Sequence, residues 1–261
     1  MRFKQFISES RGRDITLKEA AEWIKKNSKT MMEELTLDGV QYLLYRGKKN
    51  APNPQMGNAS ESVRMSANTS NEYTLLIDSS PTWKNFPKRS KSFICTTSLQ
   101  YAETYGQVQM VFPKDSAMIG CAGAKDFWIA FASPRMLDIF SLKDLNDYIN
   151  RMLDLTGQDS HQTDAKVLRE RLRKITDEAI SAEADPDNHY AKLTLTAMKR
   201  LKVNNMEALL DKMLDPAENG QDAFHLSEWE NFYSINSEYW FSDDAVFVPV
   251  SMKKKLLEIL K

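Results

Sequence analysis

SFICTTSLQYAETYG, residues 92–106, contains the change of period that decides the fold. Phe93, Ile94 and Cys95 make a short β-prone run. Thr96, Thr97 and Ser98 break it with three consecutive hydroxyls, and LQYAETYG then takes helical spacing and stops at Gly106. Strand-like runs lie on either side of this segment. Upstream, VQYLLYRG (residues 40–47) is β-rich and ends at Gly47. Downstream, VQMVFP (108–113) and MIGCAG (118–123) are two more strands and DFWIAFA (126–132) a short helix.

Farther out the pattern alternates. Thr16 followed by Glu19 makes a capping box for a helix running to about Lys26, with Leu17, Ala20, Ala21 and Ile24 on its buried face. Residues 48–71 are polar, with Pro52, Pro54 and Gly57, and read as a long loop of the kind that often carries function. YTLLI (73–77) reads as a strand, and SSPTWKNFPKRS (79–90) as a Pro- and aromatic-rich loop. From Ser141 the period is helical, with helices expected at 164–182, 189–202 and 205–214. After Pro216 the chain turns β-like. FYSINSEYWF (232–241) and AVFVPVS (245–251) read as strands around a Ser242-Asp243-Asp244 turn, and MKKKLLEILK as a closing helix. Late strands can join a sheet begun before the helices, so the expectation is an α+β fold with a helical insertion. Its parts are an N-terminal arm and helix (1–35), a β-rich core (36–140), the helical insertion (141–215) and a second part of the core with the C-terminal helix (216–261).

Composition narrows the function classes. The chain has 261 residues, 42% apolar and 27% charged, which excludes a disordered or fibrous protein. Its net charge of −1 argues against a non-specific DNA binder. That balance is uneven. Residues 1–100 carry 16 basic and 10 acidic side chains, whereas residues 101–261 carry 19 and 26. Cys95 and Cys121 sit in apolar runs and read as reduced core thiols. No apolar run approaches the ~20 residues of a membrane span, and no signal-peptide core follows the N-terminus. There is no Walker or GxGxxG loop. His161-x-x-Asp164 and His225-x-x-Glu228 are half-sites without a matching second half, so no metal is expected. Arg169, Arg171, Arg173 and Lys174 are interleaved with acids and read as a solvated face.

Three patterns carry chemistry. Arg46, at the end of a strand, presents a planar fork suited to phosphate, and Gly47 allows close backbone approach. Thr96, Thr97 and Ser98 offer donors and acceptors with little bulk, although Thr97 or Ser98 can equally serve as the cap of the following helix. Glu238 lies in an aromatic strand, on one face with Asn236 and Trp240. A carboxylate there is either solvated or, if buried, expensive without a partner. Around them cluster Tyr73, Trp83, Phe86, Phe93, Tyr101 and Tyr105, most expected in the core and one or two able to stack on a flat ring.

Taken in order, Arg46 in LYRG, the Thr96-Thr97-Ser98 triplet in FICTTS and Glu238 in Asn236-Ser237-Glu238 resemble the R-S-E class of mono-ADP-ribosyltransferases. The resemblance covers about residues 38–131 and 225–250 and leaves out the helical block. It implies a split β-sheet core and an enzyme that uses NAD as substrate, transferring ADP-ribose to a macromolecule and releasing nicotinamide. It further implies that Glu238 stabilises the oxocarbenium-like transition state, with Thr97 and either Thr96 or Ser98 orienting it. Arg46 would grip the pyrophosphate, Gly47 would read the nicotinamide amide, and Tyr105 or Trp83 would stack on its ring. Asn236 stands where arginine-modifying relatives have Glu, which leaves a host protein or a nucleic acid open as acceptor. The first ten residues, MRFKQFISES, are similar to the N-termini of tailed-phage proteins, including internal head proteins injected with DNA. That implies a place in the virion or the host bacterial cytoplasm, without membrane or metal partners. The alternatives are a non-enzymatic virion or host-takeover interaction protein, or a related fold that binds NAD without transfer.

Overall fold

Among the described residues nine strands form, all pairing antiparallel in one sheet, most of them from β-branched and aromatic runs separated by polar turns. The computed structural model describes residues 12–38, 42–61, 71–130, 164–170, 173–174, 189–232 and 237–261. The N-terminal arm, the segment 141–163, most of the helix expected at 164–182, His161, Arg171 and Asn236 lie outside the described residues.

In chain order the elements begin with β1 (Arg13–Asp14), α1 (Leu17–Asn27), α2 (Lys29–Thr36), β2 (Leu44–Lys48), β3 (Gln55–Asn58) and α3 (Asn71–Ser79). They continue with β4 (Phe93–Thr96), α4 (Leu99–Glu103), β5 (Gln107–Pro113), β6 (Met118–Ala122) and α5 (Phe127–Ala130). The later part supplies α6 (His189–Leu201), α7 (Met206–Met213), β7 (Gln221–His225), α8 (Trp229–Phe232), β8 (Glu238–Phe241), β9 (Asp244–Pro249) and α9 (Lys253–Leu260). The fold is mixed α and β. No described helix is long and apolar enough to cross a membrane.

The chain divides into two units. The first comprises Met1–Arg64, Asn85–Phe127 and Gln221–Lys261, and the second Met65–Lys84 and Trp128–Gly220.

The first unit holds the sheet, in the order β1-β3-β9-β5-β2-β4-β8-β6-β7. Its two halves meet at a narrow seam. β2 shares five register positions with β5 but only Tyr45↔Thr96 with β4. Phe93 on β4 and Phe247 on β9 are three strand spacings apart along the sheet, about 14 Å if it were flat. Their ring centroids are 4.8 Å apart. The sheet is therefore creased between β2 and β4, with Phe93, Phe241 and Phe247 packed inside the fold. Period-2 alternation places Cys95, Val111 and Tyr239 on the face of these rings and Tyr45, Thr96, Met110, Glu238 and Trp240 on the opposite face.

Helices complete the core. Ala20, Ala21 and Ile24 of α1, Met31 and Leu35 of α2 and Leu256 of α9 share one buried cluster with Val246 and Val248 of β9. The capping box at Thr16 and Glu19 forms as expected. α2 takes its anionic cap from elsewhere in the chain: the Asp115 carboxylate, in the β5–β6 turn, accepts from the Lys29 and Thr30 N–H groups at 2.9 and 3.0 Å. Gly106 ends the α4 segment at φ +132°, a backbone conformation that side-chain-bearing residues rarely adopt.

Two expectations are corrected here. Residues 73–77 are helical, inside α3, and Tyr73, Thr74, Leu76 and Ile77 are its buried positions, the i, i+1, i+3, i+4 spacing of one helix face. The polar stretch 48–71 contains β3, which pairs with both β1 and β9.

In the second unit, α6 and α7 match the helices expected at 189–202 and 205–214. Arg169 joins this unit's helices together. Its guanidinium meets Glu207 at 2.9 Å and Asp211 at 3.2 Å, and also donates to the Leu76 carbonyl and the Ser79 hydroxyl of α3. Arg173 pairs with Glu207 at 2.7 Å. The charges of these two arginines are thus balanced by acids from α7.

Candidate functional site

Strand register assembles the candidate site. Tyr45 of β2 is opposite Thr96 of β4, Thr96 opposite Glu238 of β8, Glu238 opposite Ala122 of β6, and Ala122 opposite Gln221 of β7. Directly opposed residues of antiparallel strands share a face, so these five form one row across the face opposite Phe93 and Phe247.

Glu238 is the charged member of that row. It is buried, and both carboxylate oxygens have donors. Oε1 accepts from Arg89 Nη2 at 2.8 Å, and Oε2 from the Phe127 backbone N–H at 3.3 Å. The Glu238 N–H donates to the Ala124 carbonyl at 3.0 Å, tying the start of β8 to the loop after β6. Side-chain exposure is 3% for Arg89 and 10% for Glu238, so the pair is screened little by solvent. Two aromatic rings hold the guanidinium. Its central carbon lies 3.7 Å from the Phe127 centroid and 4.9 Å from that of Trp240. Trp240 Nε1 donates to the Pro87 carbonyl at 3.0 Å, and its ring stacks on Phe86. The segment before β4 is fixed by these contacts, and Arg89 with it. Gly120, across from Trp240, leaves room for the indole: a Cβ there would stand 2.1 Å from the ring.

The hydroxyl triplet divides into separate roles. Thr96 is buried beside Glu238, and its Oγ1 accepts from the Ser98 N–H at 3.1 Å. The Thr97 N–H donates to the Ser237 carbonyl at 3.4 Å. Ser98 caps α4, its Oγ accepting from the Tyr101 N–H at 3.2 Å. Beyond the cap, the Tyr101 and Tyr105 hydroxyls lie 3.0 Å apart. The Tyr101 phenol is pushed above its ordinary range, first by that hydrogen bond and by burial, then by the negative charges of Asp126 and Glu238. Tyr105 is half exposed.

Of the other residues expected at the site, Arg46 and Trp83 are elsewhere and Gly47 is covered by a helix. Arg46 neighbours Tyr45 on β2 and points to the opposite face, where its guanidinium carbon sits 5.0 Å from the Phe93 centroid and 5.7 Å from that of Phe247. Period-2 alternation separates Arg46 from Glu238. Gly47 faces α4, and a Cβ there would lie 2.0 Å from the Ala102 carbonyl oxygen and 2.8 Å from Tyr105 Cβ. The missing side chain makes room for the helix. Trp83 belongs to the second unit, buried there with its Nε1 donating to the Leu214 carbonyl at 2.7 Å. Among the remaining polar motifs, His225-x-x-Glu228 is a turn cap, with the His225 N–H donating to the Glu228 carboxylate at 2.9 Å.

Arg89 is the residue that sequence reasoning missed. The signal was indirect: a carboxylate in an aromatic strand requires a cation if it is buried, but spacing does not say which of 35 basic side chains supplies it.

Cys95 and Cys121 are free and buried, and desolvation pushes both thiols up to about 12. No group of three or more metal-ligating side chains occurs among the described residues. Comparison with protein-family models, curated proteins and solved structures gives no match.

Proposed function

We propose that the protein is an NAD-dependent ADP-ribosyltransferase with a split-sheet core, in which Glu238 is the carboxylate facing the reacting ribose. The observation that carries this reading is the cross-strand row Tyr45–Thr96–Glu238. It brings the strands bearing the three motifs side by side in motif order and sets a hydroxyl directly beside the carboxylate.

In the reaction the bond between ribose C1′ and the nicotinamide nitrogen breaks, and its electron pair leaves with nicotinamide. The acceptor nucleophile then bonds to C1′ and gives up its proton. Positive charge develops on the ribose, where a fixed carboxylate stabilises it without reorganisation. Arg89 and the Phe127 N–H hold Glu238 in place for that role. Thr96 lines its flank, and Tyr101 and Tyr105 supply aromatic surface nearby. The pyrophosphate role read for Arg46 is not part of this proposal, because Arg46 is on the other face. Placement in a phage virion or host cytoplasm rests on the N-terminal resemblance alone.

One observation favours a second reading, in which the protein is a nucleotide-binding or interaction module without transfer. Both oxygens of Glu238 are already engaged, so the Arg89–Glu238 pair can serve as an internal pin for the sheet.

The two readings separate in one assay. Nicotinamide release from NAD is followed with water as acceptor, and labelled ADP-ribose transfer is followed into a bacterial lysate. Under the first reading the wild type is active and Glu238→Gln falls about 10²–10³-fold, the scale of losing one preorganised electrostatic contact. A wild type that neither releases nicotinamide nor transfers label refutes the enzyme. Equal activity in Glu238→Gln refutes the choice of carboxylate.

A further inference from the structure

Buried polar atoms without a hydrogen-bond partner are uncommon in native proteins, and a retained one calls for an explanation. Gln221 is such a case. The residue is 4% exposed, and neither Oε1 nor Nε2 of its carboxamide has a partner. It opens β7 and lies in the same cross-strand row as Glu238, separated from it only by the methyl group of Ala122. The row puts the two Cα atoms two strand spacings apart, about 10 Å. Both side chains leave the same face of the sheet.

We propose that Gln221 is a ligand-reading residue whose carboxamide pairs with a group presenting a donor and an acceptor side by side. This rests on the NAD reading above, and the matching group is the carboxamide of nicotinamide. A primary amide satisfies both atoms of another primary amide at once, and along the row Ala122 puts only a methyl group between Gln221 and Glu238. Without ligand the carboxamide is desolvated for no return, a local inconsistency of the kind expected at functional sites.

The test uses the full chain and Gln221→Met, which keeps the volume and removes the amide. Binding of NAD, nicotinamide mononucleotide and ADP-ribose is measured by calorimetry, and the thermal midpoint of the ligand-free proteins is compared. The expected result is about tenfold weaker binding of NAD and nicotinamide mononucleotide, the scale of one lost hydrogen-bonding contact. ADP-ribose binding should be unchanged, and the midpoint should be equal or higher because an unsatisfied buried group has been removed. Unchanged binding of all three ligands, or an equal loss for ADP-ribose, overturns the assignment while leaving the NAD reading in place. A lowered midpoint in Gln221→Met shows that the amide is satisfied within the protein, and also overturns it. A wild type that binds none of the three removes the NAD reading and this inference together.

Discussion

Replacing Arg89 by methionine keeps most of the packing volume between Phe127 and Trp240 and deletes the charge. It leaves the Glu238 carboxylate buried, with only the Phe127 N–H at 3.3 Å. With side-chain exposures of 3% and 10%, the pair falls in the buried class, for which losing one partner costs about 3–5 kcal/mol. For a urea slope of about 2 kcal/mol/M, the unfolding midpoint should drop by roughly 2 M. Trp240 contacts the altered residue, so tryptophan fluorescence follows the transition. The companion variant Arg89→Met/Glu238→Leu removes both charges and should recover most of the loss, because the cost lies in the stranded carboxylate. A double-mutant cycle isolates the coupling, expected near 3 kcal/mol. A loss below about 1 kcal/mol in Arg89→Met, or a double variant as unstable as the single one, would refute the claim that Glu238 depends on Arg89.

Further outcomes are expected elsewhere. Gly47→Ala should destabilise by about 2–3 kcal/mol or more, because its Cβ would meet the Ala102 carbonyl of α4 at 2.0 Å; a neutral effect in urea would show that α4 is not seated on β2. Asp244 is held below its ordinary carboxylate range, first by its hydrogen bond to Lys114 and then by Asn58. Its contribution is therefore present above the unfolded value near pH 4 and lost as pH falls through the lower folded value. Asp244→Asn should flatten the acid limb of a stability-against-pH curve, and an unchanged limb contradicts the assignment. Cys95 and Cys121 should not react with an aromatic disulfide at pH 8 while the protein is folded, and both should react in denaturant.

The residues of this site differ in how readable they were. β2, β4, β5, β6 and β9 follow apolar runs bounded by turn residues, so period and punctuation were enough to locate them, whereas the strand expected over 232–241 is β8 only from Glu238, with Phe232 closing the helix α8. YTLLI misled because its β-prone residues also fit one helix face, and Tyr73, Thr74, Leu76 and Ile77 are buried along that face of α3. β3 escaped because QMGN has no apolar alternation, and its pairing with β9 is a long-range event. For the site, the motif order was legible but the side of the sheet was not. Whether Arg46 or Tyr45 shares a face with Thr96 depends on register, and a shift of one residue reverses the answer. The same limit hid Arg89 and Gln221, whose relation to Glu238 exists only through pairings that span 149 residues for Arg89 and three strands for Gln221.

The strand order also constrains how the chain acquires its shape during synthesis. β8 sits between β4 and β6, and β9 between β3 and β5, yet these are the final two strands in sequence. Until they emerge from the ribosome, β3, β4, β5 and β6 each lack a neighbour, and four strand edges stay open to wrong partners. Most pairing in this sheet bridges long sequence separations, which favours slow, late folding over stepwise assembly. A ribosome-bound chain stalled before Glu238 should remain protease-sensitive throughout the first unit, and release of the last two strands should close it in one cooperative step.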